Sequence, residues 1–241
     1  MQTVTEEKLN KTERTAVAAP AKVGIGYLVC KRAFDLVASL LASLVLLLPM
    51  AVVGLLVVLK DPGSPFFIQK RVGQGGKMIR VYKFRSMKKN ADRLEDMLTP
   101  EQLAEYRTEY KLVDDPRLLG YKKAGDGSRC FGAMIRKTSI DELPQIFFNI
   151  LLRGDMSVVG PRPILPDELA ENYTPEEQEL LRSVKPGLTG YWQAYARNDA
   201  TYASGERQQM ELYYIYNRSI WLDIKIILQT VVSVVRKAGA R

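Results

Sequence analysis

Hydrophobic and polar positions divide this chain into contrasting stretches. Leu36 to Leu59 is an apolar run of 24 residues without a charge. At about 1.5 Å per residue, a straight helix of that length covers a hydrocarbon core of about 30 Å. Pro49 lies inside the run, where it removes a backbone donor and crowds the preceding turn. Broken there, the halves Leu36–Leu48 and Met50–Leu59 are each too short to span. The flanks are basic on both sides: Lys22, Lys31 and Arg32 precede the run, and Lys60, Lys70, Arg71, Lys77, Arg80, Lys83 and Arg85 follow it. The positive-inside bias therefore puts both ends on one side. Two readings stand on the pattern alone: a proline-kinked spanning helix, and a helix broken at Pro49 that enters and leaves by one face.

After the turn cluster Asp61–Pro65, Phe66–Arg71 and Met78–Phe84 flank Gly73-Gln74-Gly75-Gly76, which predicts a β-hairpin. The loop lacks the Lys and hydroxyl ending of a phosphate-cradling Walker loop, so it reads as a turn. Residues 91–111 have helical periodicity and many acids, divided at Pro100, and residues 120–129 read as a polar loop. Ile220–Val235 places Ile220, Ile224, Ile227, Leu228, Val231, Val234 and Val235 on one helical stripe, with cations at its end. That stripe fits an interfacial membrane helix and a core-packing helix equally. The first 22 residues are polar, contain no signal-type apolar core, and read as a flexible tail.

Composition narrows the chemistry. The 241 residues include no histidine, 35 Lys plus Arg and 27 Asp plus Glu, for a net charge of +8. Histidine-based nucleophile triads, His-ligated zinc and proximal-His haem are excluded. Cys30 and Cys130 make no disulfide framework and are expected to be reduced, in a cytoplasmic setting. A basic chain of this kind can serve nucleic acid, an anionic membrane or phosphorylated substrates.

The densest chemistry lies in Arg136-Lys137-Thr138-Ser139-Ile140-Asp141-Glu142-Leu143-Pro144-Gln145, followed by an apolar helix over Ile146–Leu152 and a stop at Gly154. Ser139 and Glu142 match a capping box. Pro144 is tolerated only among the first helical positions, which favours Asp141 as the cap. Two adjacent carboxylates then stand at a helix N-terminus, which favours their ionised form. Capping alone is the plain reading of the pair. Surrounding cations enlarge it: Arg136, Lys83, Arg162 held between Pro161 and Pro163, and Arg197. Carboxylates among such cations suggest a magnesium-assisted phosphoryl site. Adjacent carboxylates cannot flank a glycosidic bond, which disfavours a conventional glycosidase.

The ordered blocks KRAFDL, RVG…YKFRSM, DDPR, IRKTSIDELPQ, LRGDMSVVGPRP, KPGLTGYWQ and LDIK resemble the bacterial sugar transferase family, the monotopic phosphoglycosyl transferases, from Lys31 to Arg236. Without a long multi-span region before the apolar run, the chain resembles the short, minimal members. The resemblance implies an α+β, mainly helical monotopic membrane protein. Its expected parts are a re-entrant helix at 31–60 broken at Pro49, a small β-hairpin, amphipathic interfacial helices, a tail at 1–30 and a catalytic domain at 61–241. It implies transfer of a sugar 1-phosphate from a UDP-sugar to a polyprenyl phosphate, with undecaprenyl phosphate expected, and release of UMP. That reaction initiates exopolysaccharide, capsule or glycoconjugate assembly at the cytoplasmic face of the inner membrane. Asp141 is then the nucleophile of a covalent phosphosugar intermediate, Glu142 binds magnesium or assists departure of UMP, and both carboxylates are the ligands expected for Mg2+. An ionised carboxylate attacks without a base, which suits a chain without histidine. Arg136, Lys83, Arg162 and Arg197 become phosphate contacts. Asp155 and Asp223 also match family blocks and read first as structural, while Trp192 and Tyr191 fit either uracil stacking or the membrane.

Two departures from the family stand out. The helix break in its minimal members is a Ser-Pro pair, whereas Leu48 precedes Pro49 here. The acidic stretch 91–111 is longer. Expected partners are the UDP-sugar, the polyprenyl phosphate, membrane lipids and downstream glycosyltransferases, with a homo-oligomer left open. Nucleic acid is not among them, because acidic stretches at 91–115 and 167–179 interrupt the cations. The competing classes are a membrane diphosphate hydrolase using water and an inert assembly scaffold.

Overall fold

A computed structural model describes residues 23–109, 112, 114–122, 130–196 and 205–239. The apolar run lies in one helix, α1 (Ile25–Lys60), of 36 residues. It begins inside the stretch assigned from the sequence to the tail, and it stays helical through Pro49. The expected break is therefore not a gap between two elements. Only one N–H is missing at a proline, and the flanking turns keep their own hydrogen bonds.

Both ends of α1 dock on the same folded body. Near the start, Lys31 pairs with Asp223 at 2.9 Å, and Arg32 donates to the Ile150 carbonyl. Asp35, 2% exposed, accepts from the Ser157 hydroxyl at 3.0 Å and the Val158 N–H at 2.9 Å. Near the end, Val57 is fully buried, Lys60 lies over the Phe131 ring, and the next residue, Asp61, pairs with Arg85. Between these anchors Leu40, Leu41, Leu44, Val45, Leu47, Leu48 and Val52 remain exposed.

The hairpin forms as the alternation requires. Strands β1 (Phe66–Val72) and β2 (Met78–Phe84) pair antiparallel, with Phe67 opposite Lys83 and Arg71 opposite Ile79. Gly75 and Gly76 take left-handed φ of 69° and 74° in the turn, which costs glycine little. The acidic stretch forms α2 (Leu94–Met97) and α3 (Pro100–Glu109). Helix α4 (Phe131–Lys137) leads to a 3-10 turn at Ile140–Glu142 and a π-helix at Ile146–Arg153. Gly154, at φ 64°, ends that helix as expected.

A second, parallel pair was not read from the sequence. It joins β3 (Ser157–Val159) to β4 (Gly187–Thr189). Helices α5 (Pro166–Asn172), α6 (Pro175–Arg182), α7 (Tyr191–Tyr195), α8 (Glu206–Asn217) and α9 (Ile220–Gly239) complete the described chain. The main core gathers Val159, Leu169, Leu181, Tyr214, Ile215 and Ile226 among β3 and these helices. A smaller core of Ile79, Val81, Ile150 and Met156 joins β2 to the π-helix.

Helix α9 settles which of its faces packs inward. Asp223 and Ile226 are buried, whereas Ile220, Trp221, Ile224, Leu228 and Val231 are exposed. The inward face is thus the more polar one. Asp223 accepts from Tyr27 and Tyr214 as well as Lys31, and Thr230 meets Thr189 at 2.7 Å. Most of the apolar stripe is left outside, with Ile227 partly buried. Val234 and Val235 have no described side-chain placement. Of the loop at 120–129, residues 123–129 lie outside the described residues, as do residues 1–22.

Candidate active site

The site is built around β2 and the turn before the π-helix. Alternation along β2 puts Lys83 on the same face as Ile79 and Val81, which pack inward. Lys83 Nζ meets Glu142 Oε1 at 2.7 Å. Asp141 is buried next to it in the 3-10 turn. Both carboxylates carry further interactions within the fold.

The Ser139 cap read from the sequence is not formed. Ser139 adopts a left-handed φ of 59° with no side-chain cap bond, and Asp141 sits within the 3-10 turn. The chain tightens through Ile140–Glu142 before Pro144 opens the helix. Turn formation places the pair there.

Asn149 holds β2 against this turn. Fully buried, its amide accepts from the Tyr82 N–H at 3.1 Å and donates to the Arg80 carbonyl at 2.7 Å. These are the backbone groups on the edge of β2 away from β1, and buried groups of this kind need partners. The amide also reaches Asp155, which pairs with Arg153. Asp155 is structural, as read. The ring of Phe148 stacks on Tyr82 at 4.7 Å and meets Phe66 edge-on at 5.4 Å. A polar residue in the otherwise apolar stretch Ile146–Leu152 was the available signal for Asn149, and it went unread.

The predicted cations do not all converge. Lys83 joins the dyad. Arg136 is exposed on the last turn of α4, just before it. Arg162 belongs to a different cluster. Its guanidinium pairs with Glu168 at 2.9 Å and lies 6.0 Å from the Trp192 ring centre. Arg71 and Arg207 also reach Glu168, and Arg207 stacks 4.1 Å over Trp192. Among the described residues no contact joins Arg162 to the dyad. Arg71 pairs four positions from Phe67, which faces Lys83, and at about 3.3 Å per residue this sets the clusters roughly 13 Å apart on the hairpin. The partners of Arg162 are tertiary. Trp192 is buried between arginines, while Tyr191 packs on Tyr195 and Tyr213. Asp223 is structural, through a lysine and two tyrosines. Arg197 lies outside the described residues.

Glu211 on α8 backs the Arg162 cluster, accepting the Arg162 N–H at 3.0 Å. Burial raises its carboxyl from 4.5 to about 7, opposed by Arg162 and reinforced by Glu168. The folded protein then holds a proton that the unfolded chain has released across that window. Stability therefore declines as pH rises from about 4.5 to 7 and levels off above. Glu211→Gln keeps an acceptor for Arg162 and removes the titration. We expect it to flatten this decline and melt several degrees above the parent at about pH 8, checked by thermal unfolding across pH in detergent.

Two adjacent carboxylates fit magnesium, which takes one or two protein carboxylates and completes its shell with phosphate and water. Among the described residues no group of three or more carboxylates or thiols could hold a metal without such help.

In sequence the chain is similar to proteins of one class, the sugar transferases. The chain belongs to the bacterial sugar transferase family, whose model matches residues 26–237. It is 40% identical over 213 residues to the undecaprenyl-phosphate galactose phosphotransferase of Salmonella typhimurium, covering 87% of this chain and 41% of that protein. It is equally similar to a UDP-galactose-lipid carrier transferase of Erwinia amylovora, over the same shares. It is 39% identical over 215 residues to the exopolysaccharide production protein ExoY of Sinorhizobium fredii, covering 88% of each. The chain thus spans about two-fifths of the first two relatives and most of the third.

Proposed function

We propose that this protein is a monotopic phosphoglycosyl transferase that moves a sugar 1-phosphate from a UDP-sugar to a polyprenyl phosphate, undecaprenyl phosphate by analogy with its relatives. The observation that carries the proposal is the Asp141–Glu142 pair held beside Lys83 on the body to which both ends of α1 are fastened. In this reading Asp141 attacks the phosphorus bonded to the sugar. Its new P–O bond replaces the one to UMP, which leaves. An oxygen of the lipid phosphate then attacks the same phosphorus and returns the carboxylate, giving a polyprenyl diphosphate sugar. Lys83 positions Glu142 and offsets charge on the departing phosphate. Asp141 and Glu142 would hold Mg2+, which when bound neutralises phosphate charge. Arg136 stands next to the dyad as a further phosphate contact, whereas the Arg162 cluster would receive the nucleotide's distal part.

The docking of both α1 ends on one body supports entry and exit by a single membrane face, with the exposed middle of α1 and the outer stripe of α9 in lipid. In this reading that face is the cytoplasmic one, where the basic flanks of the apolar run also belong by the positive-inside bias. A panel of UDP-sugars, beginning with UDP-galactose, should yield UMP in the presence of undecaprenyl phosphate and magnesium. Sugar phosphate released without lipid would replace the transferase with a hydrolase. No UMP from any member of the panel would end the proposal.

A further inference from the structure

At the end of the π-helix away from the dyad, α1, β3, the end of α8 and the loop before β4 line an open pocket of about 250 Å³. Lys31, Arg32, Lys185 and Arg218 line it, with Asp35 as the one acid. Arg32 bonds to Ile150 and abuts Gly154, near the last turn of the π-helix. The π-helix Ile146–Arg153 lies between this end and the dyad.

The cations there are unequally compensated. Lys31 has Asp223. Asp35 and Asp155 act on Lys185 as counter-charges without pairing with it, and one Asp35 oxygen accepts from Ser157 and Val158. Among the described residues neither Lys185 nor Arg218 has an ion-pair partner, and the buried Arg218 Nε has no hydrogen-bond partner. Burial and the neighbouring Arg32 push the Lys185 ammonium below its ordinary value. Half-buried cations without an ion-pair partner are costly unless an anion joins them.

The surroundings define the anion. Trp221, 75% exposed, follows Arg218 by three residues on α9. Ile25 and Val29 are exposed on the first turns of α1 beside the pocket-lining Tyr27 and Leu28. Two outward apolar surfaces thus meet at a basic cavity, the arrangement of a headgroup layer flanked by hydrocarbon and an aromatic anchor.

We infer that this pocket binds the phosphate of an anionic phospholipid headgroup through Lys185 and Arg218, at a site separate from the dyad. Headgroup binding there fixes the height and tilt of the body over the bilayer. The inference rests on the membrane placement proposed above and is independent of the chemistry at Asp141.

The test compares binding of the full-length protein to phosphatidylcholine vesicles with and without phosphatidylglycerol, and to phosphatidylcholine vesicles in inorganic phosphate. Phosphatidylglycerol should strengthen binding of the parent. The double variant Lys185→Gln/Arg218→Gln should lose roughly twenty-five-fold of that gain, about fivefold per cation. Arg107→Gln, on exposed α3, should keep it, and Lys185→Arg/Arg218→Lys should restore it. An equal loss with Arg107→Gln would show only diffuse charge attraction and overturn the site. Thermal stabilisation by inorganic phosphate without a preference for phosphatidylglycerol would also overturn it, in favour of a soluble anion. UMP release, measured separately in detergent, reports on the transferase reading: its absence with the lipid preference intact refutes that reading alone.

Discussion

Asp141→Asn is expected to suppress UMP release by roughly 10³-fold or more while leaving the fold intact. An amide keeps the volume and one acceptor of the carboxylate but lacks its anionic nucleophile. The same variant should fail to form the phosphosugar adduct that mass spectrometry would detect on the parent, incubated with UDP-sugar and magnesium and without lipid. Glu142→Gln breaks the ion pair with Lys83 and should act more mildly, because the nucleophile remains. UMP release by Asp141→Asn within tenfold of the parent would remove the covalent step. Direct attack by the lipid phosphate would then be left.

The second large effect concerns Asp35. It is almost wholly buried, and one of its oxygens serves both Ser157 and Val158. Asp35→Ala leaves a hydroxyl and an N–H without their acceptor, at a cost of about 2–4 kcal/mol. For a protein of this size that corresponds to a fall of roughly 10 °C in Tm. Asp35→Asn retains an accepting oxygen and should recover most of the loss. Thermal unfolding in detergent checks both variants. A fall of less than about 2 °C for the alanine variant would mean that Asp35 does not hold α1 to β3.

Local pattern made the hairpin, the Gly154 stop and the adjacent carboxylates legible, because alternation, turn residues and a short motif are properties of neighbouring positions. Arg162 shows where such reading ends. Its flanking prolines announced a fixed backbone, but Glu168, Glu211 and Trp192 come from other elements. Ser139 misled for a related reason: the capping-box spacing is present, yet a left-handed backbone carries the chain into a 3-10 turn. Helix α9 is the most instructive case. Its apolar stripe was visible, but Asp223 decides the inward face, because Lys31, Tyr27 and Tyr214 satisfy it there. Burial pushes the Tyr214 hydroxyl well above its ordinary value, so it stays a neutral donor to that carboxylate. Pro49 was read as a break from its chemistry, whereas the helix absorbs one missing donor and continues.

The two-ended attachment of α1 also bears on how the molecule is made. Ile150 and Ser157 take partners from its first turns, and Phe131 and Arg85 take partners from its last residue and the one after it. Those contacts join positions separated by more than a hundred residues at one end and by a few tens at the other. A ribosome releases α1 long before it releases Ser157, so on the membrane placement proposed above the helix would wait in the bilayer with Asp35 without these two donors until β3 emerges. In that reading biogenesis would couple insertion to folding: the body would close on a helix already in lipid, and a chain shorn of α1 would be left with an open seam along β3 and the π-helix.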